Sequence, residues 1–95
     1  MNILNLHNKE KALSAKKFFS AENGDVLALH ILSQEKLKEH ITKTPALLVC
    51  VTGEVVFENV QGIKETLLPG DYIEIEPLVL HWVTAKQDSN LLLIK

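Results

Sequence analysis

The sequence predicts an all-β fold, a single antiparallel barrel or two-sheet jelly roll over residues 1–95. Three observations predict it. Turn signals recur at short intervals: Asn23-Gly24-Asp25, Thr44-Pro45, Thr52-Gly53-Glu54, Asn59 to Gly62, Pro69-Gly70-Asp71, Glu76-Pro77 and Asp88-Ser89-Asn90. The runs between them are rich in Val, Ile, Leu and Thr, the residues that suit a pleated, half-buried surface. Within the runs, polarity alternates with the period of a strand: in Tyr72–Glu76, Ile73 and Ile75 point one way and Tyr72, Glu74 and Glu76 the other.

Taken in order, the chain opens with an N-terminal arm, residues 1–20. Its lysines and alanines between Asn8 and Phe19 stand at loosely helical spacing, which allows a short helical turn before a strand at Lys17–Ser20. Asn23-Gly24 suits a type I′ hairpin turn into a strand at Val26–Ser33. Ser33–His40 holds good helix formers but too few apolar residues to anchor a helix on a core, so an extended linker or a single turn is expected. Strands follow at Glu39–Thr42, Ala46–Val51, Glu54–Glu58, Ile63–Leu68, Tyr72–Ile75, His81–Lys86 and Leu91–Lys95. The expected core includes Leu29, Leu48, Ile73, Ile75 and Val83. Ala46–Val51 and Leu91–Ile94 are apolar on both faces, so something must cover their outer side, either the arm or a second subunit. A homodimer is the expected state.

Composition narrows the function. The net charge is −2 and all ten basic residues are lysine. Without arginine there is no bidentate grip on phosphate or guanine, which argues against a nucleic-acid partner. The charge is uneven, +2 over residues 1–45 and −4 over residues 46–95. The single cysteine, Cys50, has no internal disulfide partner and suits a reducing compartment. No apolar run has the length of a membrane span or the form of a signal peptide, so no membrane association and a cytoplasmic location are expected.

Two segments carry chemistry. The first is His40-Ile41-Thr42-Lys43-Thr44-Pro45-Ala46 leading to Gly53-Glu54. The second is Pro69-Gly70-Asp71, then Tyr72 to Pro77, then His81. Together they resemble the two motifs of the cupin superfamily over about residues 26–95. The first motif runs His, any residue, His, three or four residues, Glu, six residues, Gly. Here His40 and Gly53 fill the ends, but Thr42 stands at the second His and Ala46 at the Glu. In the second motif Gly70, Asp71, Pro77 and His81 match, while the loop from Pro77 to His81 lacks the usual glycine. The resemblance implies a small barrel whose site would be formed by His40, His81, Thr42 and Val83.

In that family three imidazoles and a carboxylate hold a divalent transition metal with positions left open. Two of those donors are missing here, so His40 and His81 imply weak or absent binding of Zn, Ni, Fe or Mn. Cys50 shares the parity of Ala46 but lies roughly 13 Å further along its strand, too deep to assist, and reads as a small core hydrophobe. His30 is expected to point outward with Ala28, opposite Leu27, Leu29 and Ile31, and His7 to lie in a mobile terminus. Trp82 faces away from His81 and Val83, as outer packing in need of a partner for its N–H.

Three functions follow from these residues. One is a barrel that binds a small molecule around His40 and His81, with no certain cofactor. Another is a metal-dependent enzyme of dioxygenase, isomerase or decarboxylase type. The third is a structural or stress-related dimer without a ligand. The fold alone does not choose among them.

Overall fold

The structure, a computed structural model, describes residues 1–95. Nine strands run β1 (Leu13–Ala21), β2 (Gly24–Ile31), β3 (Lys36–His40), β4 (Ala46–Thr52), β5 (Val55–Asn59), β6 (Lys64–Leu67), β7 (Tyr72–Ile75), β8 (His81–Ala85) and β9 (Ser89–Ile94). They form two antiparallel sheets, one ordered β1-β2-β9-β4-β7 and one ordered β3-β8-β5-β6. This is the expected jelly roll. No helix is long and apolar enough to cross a membrane.

The core lies between the sheets because each strand turns alternate side chains inward. Leu29, Ile31, Leu48, Cys50 and Leu91 come from the larger sheet, and Val55, Phe57, Val83 and Ala85 from the smaller. Of the five expected core residues, Leu29, Leu48, Ile75 and Val83 are buried, and Ile73 packs half-buried against them. Glu74 and Glu76 are solvated, as their parity requires.

Turn chemistry fixes the register. Gly53 joins β4 to β5 at φ +92°, a region that strains residues with a Cβ. A Cβ there would also strike the Ser89 hydroxyl and the Asp88 carbonyl. In the Pro69-Gly70-Asp71 turn, the Leu68 N–H donates to Asp71 Oδ2 at 2.8 Å. Gly70 N–H donates to the Cys50 carbonyl at 2.8 Å, and Cys50 N–H to the Asp71 carbonyl at 2.9 Å, tying the turn to β4.

Two expectations of local structure are corrected. Asn8–Phe19 holds no helical turn. The one helical turn is a 3-10 segment, Ile3–Asn5, and β1 runs from Leu13 beside β2 over its whole length. Ser33–His40 is not a linker: after a turn with Gln34 at φ +69°, β3 pairs with β8. In both places cross-strand hydrogen bonds to a distant segment outweigh a local helix preference of tenths of a kcal/mol per residue.

The outward face of the larger sheet is partly covered by the N-terminal segment. His30 does point away from the core with Ala28, but both are buried, 6% and 1% exposed. His7 is not loose. It is buried against His30 with ring centroids 5.7 Å apart, and its Nδ1 lies 2.7 Å from Ser14 Oγ. Burial lowers the His7 pKa below 6.5, with help from the nearby His30 and Lys16.

Candidate functional site

His40 ends β3 and His81 begins β8, and the ladder between those strands sets the two residues directly opposite. Their rings meet edge to face with centroids 4.1 Å apart. The two Nε2 atoms are 3.0 Å apart. His81 is 1% exposed, with Phe57 stacked on it at 5.5 Å, while His40 is half-buried.

Backbone carbonyls fix both rings. His40 Nδ1 donates to the Lys38 carbonyl at 2.9 Å and His81 Nδ1 to the Val79 carbonyl at 3.1 Å. A carbonyl only accepts, so each Nδ1 carries a proton and each Nε2 of a neutral ring presents a lone pair. Two lone pairs at 3.0 Å repel. The pair needs an electrophile, and one shared proton suffices: His40 Nε2–H then donates to His81 Nε2. Burial assigns the neutral role to His81. It lowers the pKa of that ring, the Val79 carbonyl opposes the shift, and His40 adds to it.

The loop before His81 is shaped by the missing glycine. Leu78, between Pro77 and His81, takes φ +65°. This left-handed conformation costs an L-residue about 1–2 kcal/mol. The Leu78 N–H donates to the Thr42 carbonyl at 2.8 Å, which draws the loop onto the segment after His40. The strained residue therefore stands one place before the carbonyl that orients His81.

Beside the pair a cavity of about 380 Å³ is walled by His40, Thr42, Lys43, Thr44 and Leu93, with Lys95 at its edge. No acidic side chain lines it. Thr42 Oγ1 is buried and has no hydrogen-bond partner. Of the residues singled out from sequence, His40 and Thr42 wall the cavity and His81 lies behind His40. Val83 does not reach it: it is 1% exposed and packs in the core. Lys43 and Lys95 were not anticipated. Lys43 is three residues past His40, a signal that was available, whereas Lys95 arrives through the pairing of β9 with β2 and β4.

The donor set does not complete a metal centre. No three His, Cys, Asp or Glu side chains come together to hold an ion. Thr42 and Ala46 stand where the resemblance places a second imidazole and the carboxylate, and Ala46 is buried in the core cluster. Cys50 is buried in that cluster too, as expected, and burial together with Asp71 raises its thiol pKa. The other chemistry-bearing side chains are structural. Trp82 finds the partner its indole needs, donating Nε1–H to Glu58 Oε2 at 2.8 Å.

No protein-family model matches the chain, and no curated protein does. Solved structures do. A cupin superfamily protein from Desulfitobacterium hafniense superposes with a TM-score of 0.86 at 16% identity, over 98% of this chain and 84% of that one. A protein from Thermus thermophilus gives 0.83 at 20% identity, over 99% and 92%. A cupin-2 domain containing protein from Shewanella frigidimarina gives 0.82 at 16% identity, over 97% and 86%. At such identities the likeness is one of fold.

Proposed function

We propose, on the cupin fold of this chain and the chemistry at its mouth, that it binds a small anion, a carboxylate or an enolate, beside the His40–His81 pair. The observation that carries the reading is the 3.0 Å separation of two Nε2 atoms whose Nδ1 partners are both held by carbonyls. Such a pair takes up one proton and then bears one positive charge. The cavity beside it adds Lys43 and Lys95 and no acid, so the local field favours an anion. Thr42 Oγ1 supplies an uncommitted hydroxyl for an oxygen of the ligand. The rest of the wall is mostly polar, with Thr44 beside Thr42 and only Ile41 and Leu93 apolar, which suits a small polar ligand.

The test is a titration with short carboxylates, followed by the amide signals of residues 40–44. Binding is expected in the parent and is expected to weaken at least tenfold in His81→Ala, with the fold retained by circular dichroism. Shifts at residues 40–44 that persist unchanged in His81→Ala would refute the role of the pair.

One observation favours a metal instead. Two imidazoles held about 2.1 Å from one ion at a right angle also lie about 3.0 Å apart. With only two protein donors we derive no catalytic step through such an ion. Elemental analysis of natively purified protein decides: a stoichiometric tightly held metal would displace the anion reading and reopen that of a metal-dependent enzyme.

A further inference from the structure

The first twelve residues reach the outward face of the five-stranded sheet without joining it. Backbone hydrogen bonds of residues 1–11 stay inside the segment: Asn5 N–H donates to the Asn2 carbonyl, Leu6 N–H to Ile3 and Lys11 N–H to Asn8. The first bond outward is Leu32 N–H to the Ala12 carbonyl at 2.9 Å, and from Leu13 onward β1 is held by its own ladder with β2. No ion pair involves the segment. Of residues 1–13 only His7 is buried, with Ile3 and Leu6 half-buried. The one side-chain hydrogen bond out of the segment is the 2.7 Å contact of His7 Nδ1 with Ser14 Oγ. A single polar side chain therefore docks the segment, and it is an imidazole, which gains or loses its charge close to neutral pH.

The surroundings of the ring suit only its neutral form. Ser14, His30 and Asn90 stand in one row across β1, β2 and β9, and the His7 ring stacks on His30 at an interplanar angle of 22°. Ser14 and Lys16 face it from β1 and His30 from β2, while Asn90, next in the row on β9, is neutral. Like charge on His30 and Lys16 opposes a proton on His7, and no carboxylate pairs with the ring. His7 Nε2 is buried without a hydrogen-bond partner. In a neutral ring either tautomer satisfies the contact with the Ser14 hydroxyl. A protonated ring carries an N–H at both nitrogens, so Nε2 would become a charged donor buried without an acceptor, which costs more than an unmatched lone pair.

We propose that His7 is a proton-operated clasp: neutral, it holds residues 1–12 against the sheet, and charged, it lets them go. The hinge is Ala12, the last residue before the β1 ladder begins. Release leaves all nine strands paired and bares the strip made by Ser14, His30 and Asn90. The sign follows from linkage. The docked ring holds its proton less tightly than a free imidazole, so docking is complete above pH 6.5 and is lost as pH falls below it. Because release takes up one proton, docking weakens by up to about tenfold for each pH unit in that range. The clasp shares no residue with the His40–His81 site and does not depend on the anion reading.

Nuclear magnetic resonance of the full chain, between about pH 7.5 and about pH 5, tests it through the order of the backbone amides. Amides of residues 3–9 should be ordered at the higher pH and loosen at the lower, while those of β2 stay ordered throughout. The His7 ring and these amides should titrate together, with a midpoint below 6.5. His7→Phe keeps a ring that cannot take a proton, so its segment should stay ordered at both pH values. His7→Lys, charged throughout, should be loose at both. Lys16→Gln removes a facing cation and should raise the midpoint of the parent ring by a few tenths of a pH unit. A segment equally ordered at both pH values in the parent would overturn the proposal, and so would a His7→Phe segment that still loosens with acid. If His7→Phe is loose even at the higher pH, the Lys16→Gln variant decides: a midpoint that does not move overturns the clasp.

Discussion

Three glycines share nearly one backbone conformation: Gly53 at φ +92°, Gly62 at +91° and Gly70 at +93°. Their surroundings differ. Around Gly62 and Gly70 a Cβ would meet nothing within 4 Å, whereas at Gly53 it would lie 2.5 Å from the Asp88 carbonyl oxygen and 2.7 Å from Ser89 Cα, and would strike the Ser89 hydroxyl. Gly70→Ala therefore measures conformational strain alone. That is about 1–2 kcal/mol, less about 0.5 kcal/mol because alanine stiffens the unfolded chain. Gly53→Ala adds a collision with backbone, which cannot swing aside as a side-chain end can. The β8–β9 turn must move, and Ser89 Oγ then loses its contacts with Glu54 N at 3.0 Å and Gln87 O at 2.7 Å, each worth about 1 kcal/mol. We expect Gly53→Ala to lose about 3–5 kcal/mol and Gly70→Ala about 1 kcal/mol. For a domain of this size that gap corresponds to a difference in Tm of about 10 °C or more. Urea unfolding read by the single tryptophan, Trp82, measures both. If the two variants lie within about 0.5 kcal/mol of each other, the tight packing at the β4–β5 turn is wrong.

Other measurements bear on the titrating and reactive groups. His7 and His81 are both held below 6.5 in the fold, chiefly by burial, so the unfolded chain binds their protons more readily. Their contribution is complete above pH 6.5 and is lost as pH falls below it. Stability measured between pH 7 and pH 5 should decline, His7→Leu should flatten part of the slope, and a level profile in the parent would refute the burial of these rings. Cys50, buried and with its thiol pKa raised by burial and by Asp71, should resist iodoacetamide in the native protein and react once urea opens the core. Rapid labelling without denaturant would contradict that placement.

Much of the fold could be read from the sequence because strand signals are local. Each of the nine expected strands has an observed counterpart, and Tyr72–Ile75 keeps its written bounds. The parity that sent Glu74 and Trp82 outward and Ile75 and Val83 inward needed only a period of two. What failed was decided by distant partners. Lys36–His40 contains good helix formers and is a strand because β8 lies beside it. The stacking of His7 on His30 spans 23 residues and leaves no pattern in either segment. At the site, the pairing of His40 with His81 was legible through motif spacing and the inward turn of Val83 through its parity, but the arrival of Lys95 at the cavity, and the cavity's stopping short of Val83, depend on how β9 and β8 pack.

The same two Nε2 atoms can be satisfied by a proton or by a metal ion, and proton counting separates the cases. Above about pH 8 an ordinary imidazole is neutral, so the free pair faces its lone pairs at 3.0 Å with little help from solvent protons. A carboxylate entering the cavity stabilises positive charge on the pair and so draws a proton into it. A metal does the reverse, because its ligands must be deprotonated and any proton between the rings is expelled. Calorimetric titration at about pH 8, in two buffers of different ionisation enthalpy, reads the sign directly. Carboxylate binding by this site should take up close to one proton per chain, and the uptake should disappear in His40→Ala. Binding with no proton uptake would mean that the anion is held by Lys43 and Lys95 alone. The close approach of His40 and His81 would then be a feature of the fold, without a part in recognition.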